Sequence, residues 1–520
     1  MQATLDRVLR VAAPVSAAVL VFVLARLVLA RWVHAGKHAS RARLPPGPPA
    51  IPVLGNVHQL PMDYQEKTFA QWAKQYGDVV YAKLFQRPVL VVSSLRAAHD
   101  LLEKKSSKYS DRPRLILLSE LMGWDQVATH MPYGERHRKH RKWMQAGFQT
   151  KEALVGSRPL KRRETYILLA GLMQDPEGFV NHINRWAAGT LMELTYGHRI
   201  HSLQDEYVQI ARTTTTETVL AGSPGSMLVD FFPILKELPT WMPGAGFKRN
   251  AFRIRGLVRT LMDTPYNMVK AALANGTARP SFTASLLEDV YARNAATPEE
   301  EEDIKGAAGT VTVLLTFFLA MTLHPEAFRK AQQEVDAVVG RSRLPDFDDR
   351  ENMPYLECLM NEVLRWQCPV PLAIPHNLME DDEYRDFSIP RDTMIIPNVW
   401  SMSQDASLFP EPQAFRPERW LEMEARTADA VNPRRFVFGF GRRLCPGREF
   451  ADESLWLAMA TVVSFFDIGK AVDRWGSEIT PPAEFVSGFV SHPKPFKCSI
   501  RTRAENAAEL IAQARAALTI

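Results

Sequence analysis

The chain has 520 residues, 46% of them hydrophobic and 23% charged, which supports a large core and excludes a disordered or fibrous protein. With 63 Lys and Arg against 58 Asp and Glu, the net charge of +5 is too small for this length to mark nucleic acid as a partner. Four cysteines (Cys358, Cys368, Cys445 and Cys498), none in a Cys-x-x-Cys pair, argue against a disulfide framework and a zinc knuckle.

In chain order, the first feature is apolar. Residues 11–25 carry no charge, and Leu27-Val28-Leu29-Ala30 resume the run after Arg26, giving about 20 residues, enough to cross hydrocarbon. We read a transmembrane anchor at 8–30, with Arg26 able to snorkel. The alternative is a cleaved signal peptide. Against it, Arg31, Lys37, Arg41 and Arg43 follow the span while only Arg7 and Arg10 precede it. That asymmetry favours a retained anchor with the remainder cytosolic. The sequon Asn275-Gly276-Thr277 would then stay unmodified.

Next comes a proline-rich hinge at 39–56, where Leu44-Pro45-Pro46-Gly47-Pro48-Pro49-Ala50-Ile51-Pro52 can form neither helix nor central strand. Residues 57–520 show no repeat or Gly/Ser linker and read as one domain, mainly α with a smaller β part. Short strands are expected near 79–84 and 89–93, where β-branched residues collect. Thr297-Pro298 and the acids after it open a helix whose apolar run ends at His324-Pro325. Pro325 opens a second, closing at Gly340, and Pro354 a third, with Leu356, Leu359, Met360 and Val363 on one face. Prolines recurring from 389 to 418 predict a meandering loop.

Two motifs carry chemistry. Phe438-Gly439-Phe440-Gly441-Arg442-Arg443-Leu444-Cys445-Pro446-Gly447 puts a thiol in a glycine-rich loop just ahead of an apolar helix, where free backbone N–H groups can lower its pKa. From the residues alone Cys445 is a nucleophile, a metal ligand or an ordinary buried thiol. Glu362 and Arg365, three apart on the helix from Pro354, can pair. That spacing also occurs at Glu135/Arg138 and Glu326/Arg329, so its position near the cysteine loop is what counts.

The cysteine segment resembles the haem-binding loop of the cytochrome P450 family, Phe-x-x-Gly-x-Arg-x-Cys-x-Gly, with Phe438, Gly441, Arg443, Cys445 and Gly447 at the five fixed positions. The proline hinge, Ser110-Asp111-Arg112-Pro113 and Phe415-Arg416-Pro417-Glu418-Arg419-Trp420 extend the likeness along nearly the whole chain. It implies the cytochrome P450 fold and a haem cofactor (heme b), with Cys445 as the thiolate ligand of iron, which favours O–O cleavage. Arg443, Arg141 and His376 would meet haem propionates. His137 stands where the family usually has tryptophan and could still donate to a carboxylate. Glu362, Arg365 and Arg419 would form a buried charge triad supporting the haem side.

The resemblance further implies a microsomal, fungal-type monooxygenase in the endoplasmic reticulum membrane. Its partners would be membrane lipid and an NADPH-cytochrome reductase that passes on electrons from NADPH. The substrate would be an apolar small molecule of secondary-metabolite, lipid or xenobiotic type, met by residues 115–123, 213–220, 370–374 and 485–489.

The sequence departs from the family in the central helix. Ala307-Ala308-Gly309-Thr310-Val311-Thr312 offers Thr310 or Thr312 as the proton-delivering alcohol but no acid beside it, and the helix from Pro298 to Leu323 is only about 39 Å long at 1.5 Å per residue. The second reading is therefore a haem-binding member with impaired oxygen activation. A cysteine hydrolase using Cys445 lacks a recognisable His or Asn partner motif.

Overall fold

The computed structural model describes residues 43–222, 227–293, 297, 313–503 and 507–517. Thr310, Thr312, the rest of 298–312 and the expected anchor at 8–30 lie outside the described residues. The placement in the endoplasmic reticulum membrane by a single span is corrected here: among the described residues no helix is long and apolar enough to cross a membrane.

By its internal contacts the chain divides into two units. The smaller comprises residues 1–45 and 381–390, and its described part contains an antiparallel hairpin of Asp382–Tyr384 with Phe387–Ile389. The larger is mostly helical with small sheets. Its first helix, α1 (Gln65–Tyr76), packs Phe69 and Trp72 on a four-stranded sheet. In that sheet β1 (Val79–Leu84) pairs antiparallel with β2 (Arg87–Val92). The two-residue β3 (His376–Asn377) and β4 (Met394–Pro397) complete the order β1-β2-β4-β3. β4 runs parallel to β2, and all four of its residues are buried. The expected meander therefore contains a strand: Met394-Ile395-Ile396 is a short apolar run between prolines, and burial on both faces outweighs the turn signal around it.

The main core is built by α3, α4 and α6 to α9, while α2 and α5 pack in smaller clusters of their own. These helices are α2 (Glu135–Phe148), α3 (Arg158–Gln174), α4 (Phe179–Tyr196), α5 (Gly246–Ala274), α6 (Val313–Leu323), α7 (Pro325–Val339), α8 (Pro354–Trp366) and α9 (Arg448–Phe465). Proline punctuates them as expected: α6 stops before Pro325, α7 starts on it and closes at Gly340 with φ of 73°, and Pro354 is the first residue of α8. α6 is apolar on every face and sits in the middle, with Leu314, Phe317, Phe318 and Met321 at 0% exposure. Its Thr322 hydroxyl donates back to the Phe318 carbonyl at 2.8 Å, which satisfies it in the core. Each fully buried aromatic or leucine here contributes roughly 1.5–3 kcal/mol. α8 and α9 pack in the same cluster, which places Glu362 and the cysteine loop on one rigid support.

Candidate active site

The loop leading to α9 is folded by its own backbone. The Cys445 N–H donates to the Phe438 carbonyl at 2.8 Å, and Gly439 and Gly441 take φ of 88° and 52°, values that disfavour a side chain. Gly441 is also pressed against the π-helical segment His99–Lys104, where an added Cβ would lie 2.1 Å from the Leu102 carbonyl oxygen.

The four thiols differ. Burial pushes Cys358, Cys368 and Cys498 up to about 12. Burial, with Glu449 adding to it, holds Cys445 above its ordinary value as well, but against it work a Gly447 N–H bonded to its sulfur and the cations Arg141 and Arg448. Cys445 is thus the cysteine whose surroundings offer a thiolate an N–H donor and cations.

Around this loop the structure gathers basic side chains from distant parts of the chain. Arg443 is buried and donates to the carbonyls of Ser110 at 2.7 Å, Ala128 at 3.1 Å and Met131 at 2.8 Å. Arg112 donates to Thr129 at 2.9 Å, Ile374 at 2.7 Å and Pro375 at 2.8 Å. Arg141, on α2, reaches the Leu444 carbonyl at 2.5 Å. His376 bonds the Tyr109 carbonyl through Nδ1 at 2.7 Å. A carbonyl can only accept, so Nδ1 carries the proton and Nε2 of the neutral ring is an acceptor.

His137 is 2% exposed, its Nδ1 has no hydrogen-bond partner, and its ring lies 5.5 Å from that of Tyr133. Burial first, then Arg443, Arg141 and Arg112, push His137 down to about 3. Burial with Arg112 and Arg443 pushes His130 to about 4. Burial takes His376 well below its usual value. The arginines also disfavour one another: burial and repulsion from Arg443 lower Arg112, and burial, opposed by Asp111 and reinforced by Arg141, brings Arg443 to about 10. The carboxylates acting on them are Asp111 and Glu449.

Three guanidiniums and three imidazoles with two carboxylates form a site short of anions, and His137 holds a buried unpartnered nitrogen. A macrocycle bearing two carboxylates and an iron that takes a thiolate fits that donor set. The Ser110-Asp111-Arg112-Pro113 likeness gives Arg112 no role, and nothing in the sequence singles out His130. Both join the cluster through loop contacts that no local pattern encodes.

The charge triad also assembles. Glu362, at 0% exposure, holds Arg365 at 2.7 Å and Arg419 at 3.1 Å. It also accepts from the Trp420 indole at 3.1 Å and the Arg416 N–H at 2.9 Å. The segments expected to meet substrate are placed variously. Leu115, Ile116, Leu117, Leu118 and Leu121 are buried in an apolar cluster with Ile254 and Val258 of α5. Leu220 is 76% exposed. Phe485 stacks edge-on to Trp366 and accepts from the Tyr64 hydroxyl at 2.9 Å.

Comparison with known proteins agrees with this geometry. The family model described as Cytochrome P450 matches residues 45–500. Cytochrome P450 monooxygenase 176 of Postia placenta is 45% identical over 482 residues, covering 91% of this chain and 93% of the relative. Cytochrome P450 monooxygenase 136 of the same fungus is 44% identical over 516 residues, covering 97% and 96%. Cytochrome P450 monooxygenase claR of Ampulloclitocybe clavipes is 40% identical over 484 residues, covering 91% and 88%. A mostly helical fold, a cysteine loop of this construction and matches along nearly the whole length leave one assignment: the chain belongs to the cytochrome P450 family of oxidoreductases, the monooxygenases that carry haem on a cysteine thiolate.

Proposed function

We propose that this chain inserts one atom of molecular oxygen into an apolar small molecule, with Cys445 as the residue whose thiolate would hold haem iron. The observation that carries the reading is the Cys445 loop set beside an anion-poor cluster of buried arginines and histidines. The haem supplies the redox chemistry of oxygen activation. The polypeptide supplies the rest. Gly447 N–H and the nearby Arg141 favour the anionic form of the ligand. Arg112, Arg141 and Arg443 would give the propionates cationic partners, and His137 could turn either nitrogen into a donor. His376 would meet a carboxylate only after gaining a proton at Nε2, because Nδ1–H is already committed to Tyr109.

NADPH-cytochrome reductase is the proposed electron donor, supported by the exposed Arg138 and Lys142 of α2 and Arg442 of the loop, which suit an acidic partner. The apolar composition of residues 115–123 supports a lipid, terpenoid or aromatic substrate over a sugar. A second reading, oxygen activation impaired at the protonation step, rests on Val311 standing where the family carries an acid.

The test is the carbon monoxide difference spectrum of the reduced protein. The unaltered chain gives a thiolate-type Soret band and Cys445→Ser loses it, while alanine at Cys358, Cys368 or Cys498 keeps it. A thiolate-type band in Cys445→Ser would overturn the assignment. Measuring NADPH consumption, peroxide and product together, with reductase added, separates the two readings: peroxide in place of product marks the impaired one.

A further inference from the structure

The helix that follows the cysteine is tied down on two sides by ions that no step above uses. Asp452 and Glu453 lie on the second turn of α9. Asp452 takes Arg434 at 2.5 Å and Arg350 at 2.7 Å, and both arginines also hold Glu357 of α8, at 2.9 Å and 2.6 Å. The four side chains close a ring of alternating charge, each between 17% and 28% exposed. On the other flank Glu453 takes Lys161 of α3 at 2.5 Å, and the lysine side chain is 0% exposed. Burial raises the Asp452 carboxyl, but Arg434 and Arg350 outweigh it and hold the group below its ordinary value.

The position of one pair matters most. Arg434 stands in the turn that leads into the cysteine loop and Asp452 on the helix that leads out of it. Their contact spans 18 residues and closes the base of the loop that holds Phe438, Arg443 and Cys445. Inside that closure the loop keeps its shape through short-range backbone hydrogen bonds, among them Cys445 N–H to the Phe438 carbonyl, Arg443 N–H to Phe440 and Leu444 N–H to Gly441, and two left-handed glycines. A staple at the base fixes both ends, so the sulfur is held by ion pairing as well as by its own turn.

We propose that Asp452 is a positioning residue, stapled to Arg434 across the base of the Cys445 loop so that the sulfur is held where it ligates iron. This rests on the reading of Cys445 as the haem ligand. The pair does not touch the reacting atoms. Its effect is on how long the thiolate stays in place, and less on whether the chain folds. Asp452→Asn removes the charge and keeps the shape, Asp452→Glu keeps the charge, and Asp336→Asn is a matched control. Asp336 holds Arg503 at 2.7 Å with 11% and 27% exposure, far along the chain from the loop.

The measurement is the rate at which the reduced carbon monoxide complex of the haem-loaded protein converts from the thiolate band to the neutral-thiol band under mild heating, with the thermal midpoint of each variant. Asp452→Asn should convert about tenfold faster than the unaltered chain, the change expected for a lost charge-assisted hydrogen bond. Asp452→Glu should restore the slow rate, and Asp336→Asn should lower the midpoint without speeding conversion. Equal acceleration by Asp452→Asn and Asp336→Asn would make the pair ordinary scaffolding and overturn the proposal. So would an unchanged rate in Asp452→Asn. Should Asp452→Asn fail to fold, Arg434→Gln, which removes the positive end of the same pair, takes its place with the same expected outcome. Absence of the thiolate band from the unaltered chain would overturn the haem reading itself, a result that none of the variant comparisons can mimic.

Discussion

Glu362→Gln is the sharpest single perturbation of the scaffold. The Glu362 carboxylate accepts five hydrogen bonds: from Arg365 at 2.9 and 2.7 Å, from Arg419 at 3.1 Å, from the Trp420 indole at 3.1 Å and from the Arg416 backbone at 2.9 Å. Its side chain and that of Arg365 are 0% exposed, and that of Arg419 is 3% exposed. Neutralising it leaves two buried guanidiniums whose remaining partners are carbonyls, at Ser403, Pro412 and Ala414 for Arg365 and at Pro410, Glu411 and Ala414 for Arg419. The amide also points N–H donors at N–H donors. Breaking one side of such a buried pair costs about 3–5 kcal/mol, against about 5–15 kcal/mol for a whole fold. With a urea slope of about 3 kcal/mol per molar, the midpoint should fall by about 1 M or more. The assay is urea unfolding followed by tryptophan fluorescence, with Trp420 as a reporter in contact with the group removed. A midpoint for Glu362→Gln within about 0.2 M of the unaltered chain would refute the reasoning, because it would mean the two arginines find water or other anions without cost.

Two further outcomes follow from local geometry. Gly441→Ala forces a side chain onto a φ of 52° and a Cβ to 2.1 Å from the Leu102 oxygen, so the thermal midpoint and the haem-to-protein absorbance ratio should both fall. Gly447→Ala meets nothing within 4 Å and should leave the haem-free chain as stable as before. The pH dependence follows from His137. Its folded value of about 3 lies below the ordinary 6.5, so the unfolded chain binds the extra proton first, and stability present above pH 6.5 is lost as pH falls toward 3. Between pH 7 and pH 5 this ring alone removes about 2 kcal/mol from the haem-free protein. His137→Asn should flatten that part of the urea-midpoint profile, and an unchanged profile would show the ring to be protonated in the fold.

What could be read in the sequence was whatever is written locally. Proline and glycine punctuated α7 and α8 because they act on their own backbone. The Cys445 loop and the Glu362/Arg365 spacing were legible because each lies within a few residues. The pairings that build the site are of another kind. Arg112 meets carbonyls 262 and 263 residues away and Arg443 one 333 residues away, and neither contact leaves a period or motif behind. α6, apolar on every face, has no stripe to say which side meets which neighbour. β4 was hidden by the prolines that bracket it.

The same long-range pairings explain why fold and cofactor belong together. Three arginines from separate elements are brought into a buried region where burial lowers each of them, Arg443 further lowers Arg112 and Arg141 further lowers Arg443, and where burial with these charges holds His137 neutral. A chain selected for stability alone would gain by replacing such like charges with apolar groups of the same volume. On the proposed reading an anion shares the region: a haem with two carboxylates would relieve the repulsion and the thiolate of Cys445 would take the metal. Haem-loaded protein should therefore resist acid better than the haem-free chain. Burial pushes His137 to about 3 and repulsion from the arginines adds to it; propionates beside the arginines would offset that second part, so the urea midpoints of the two forms should diverge steadily from pH 7 to pH 5. Parallel profiles for the two forms would mean the propionates bind elsewhere.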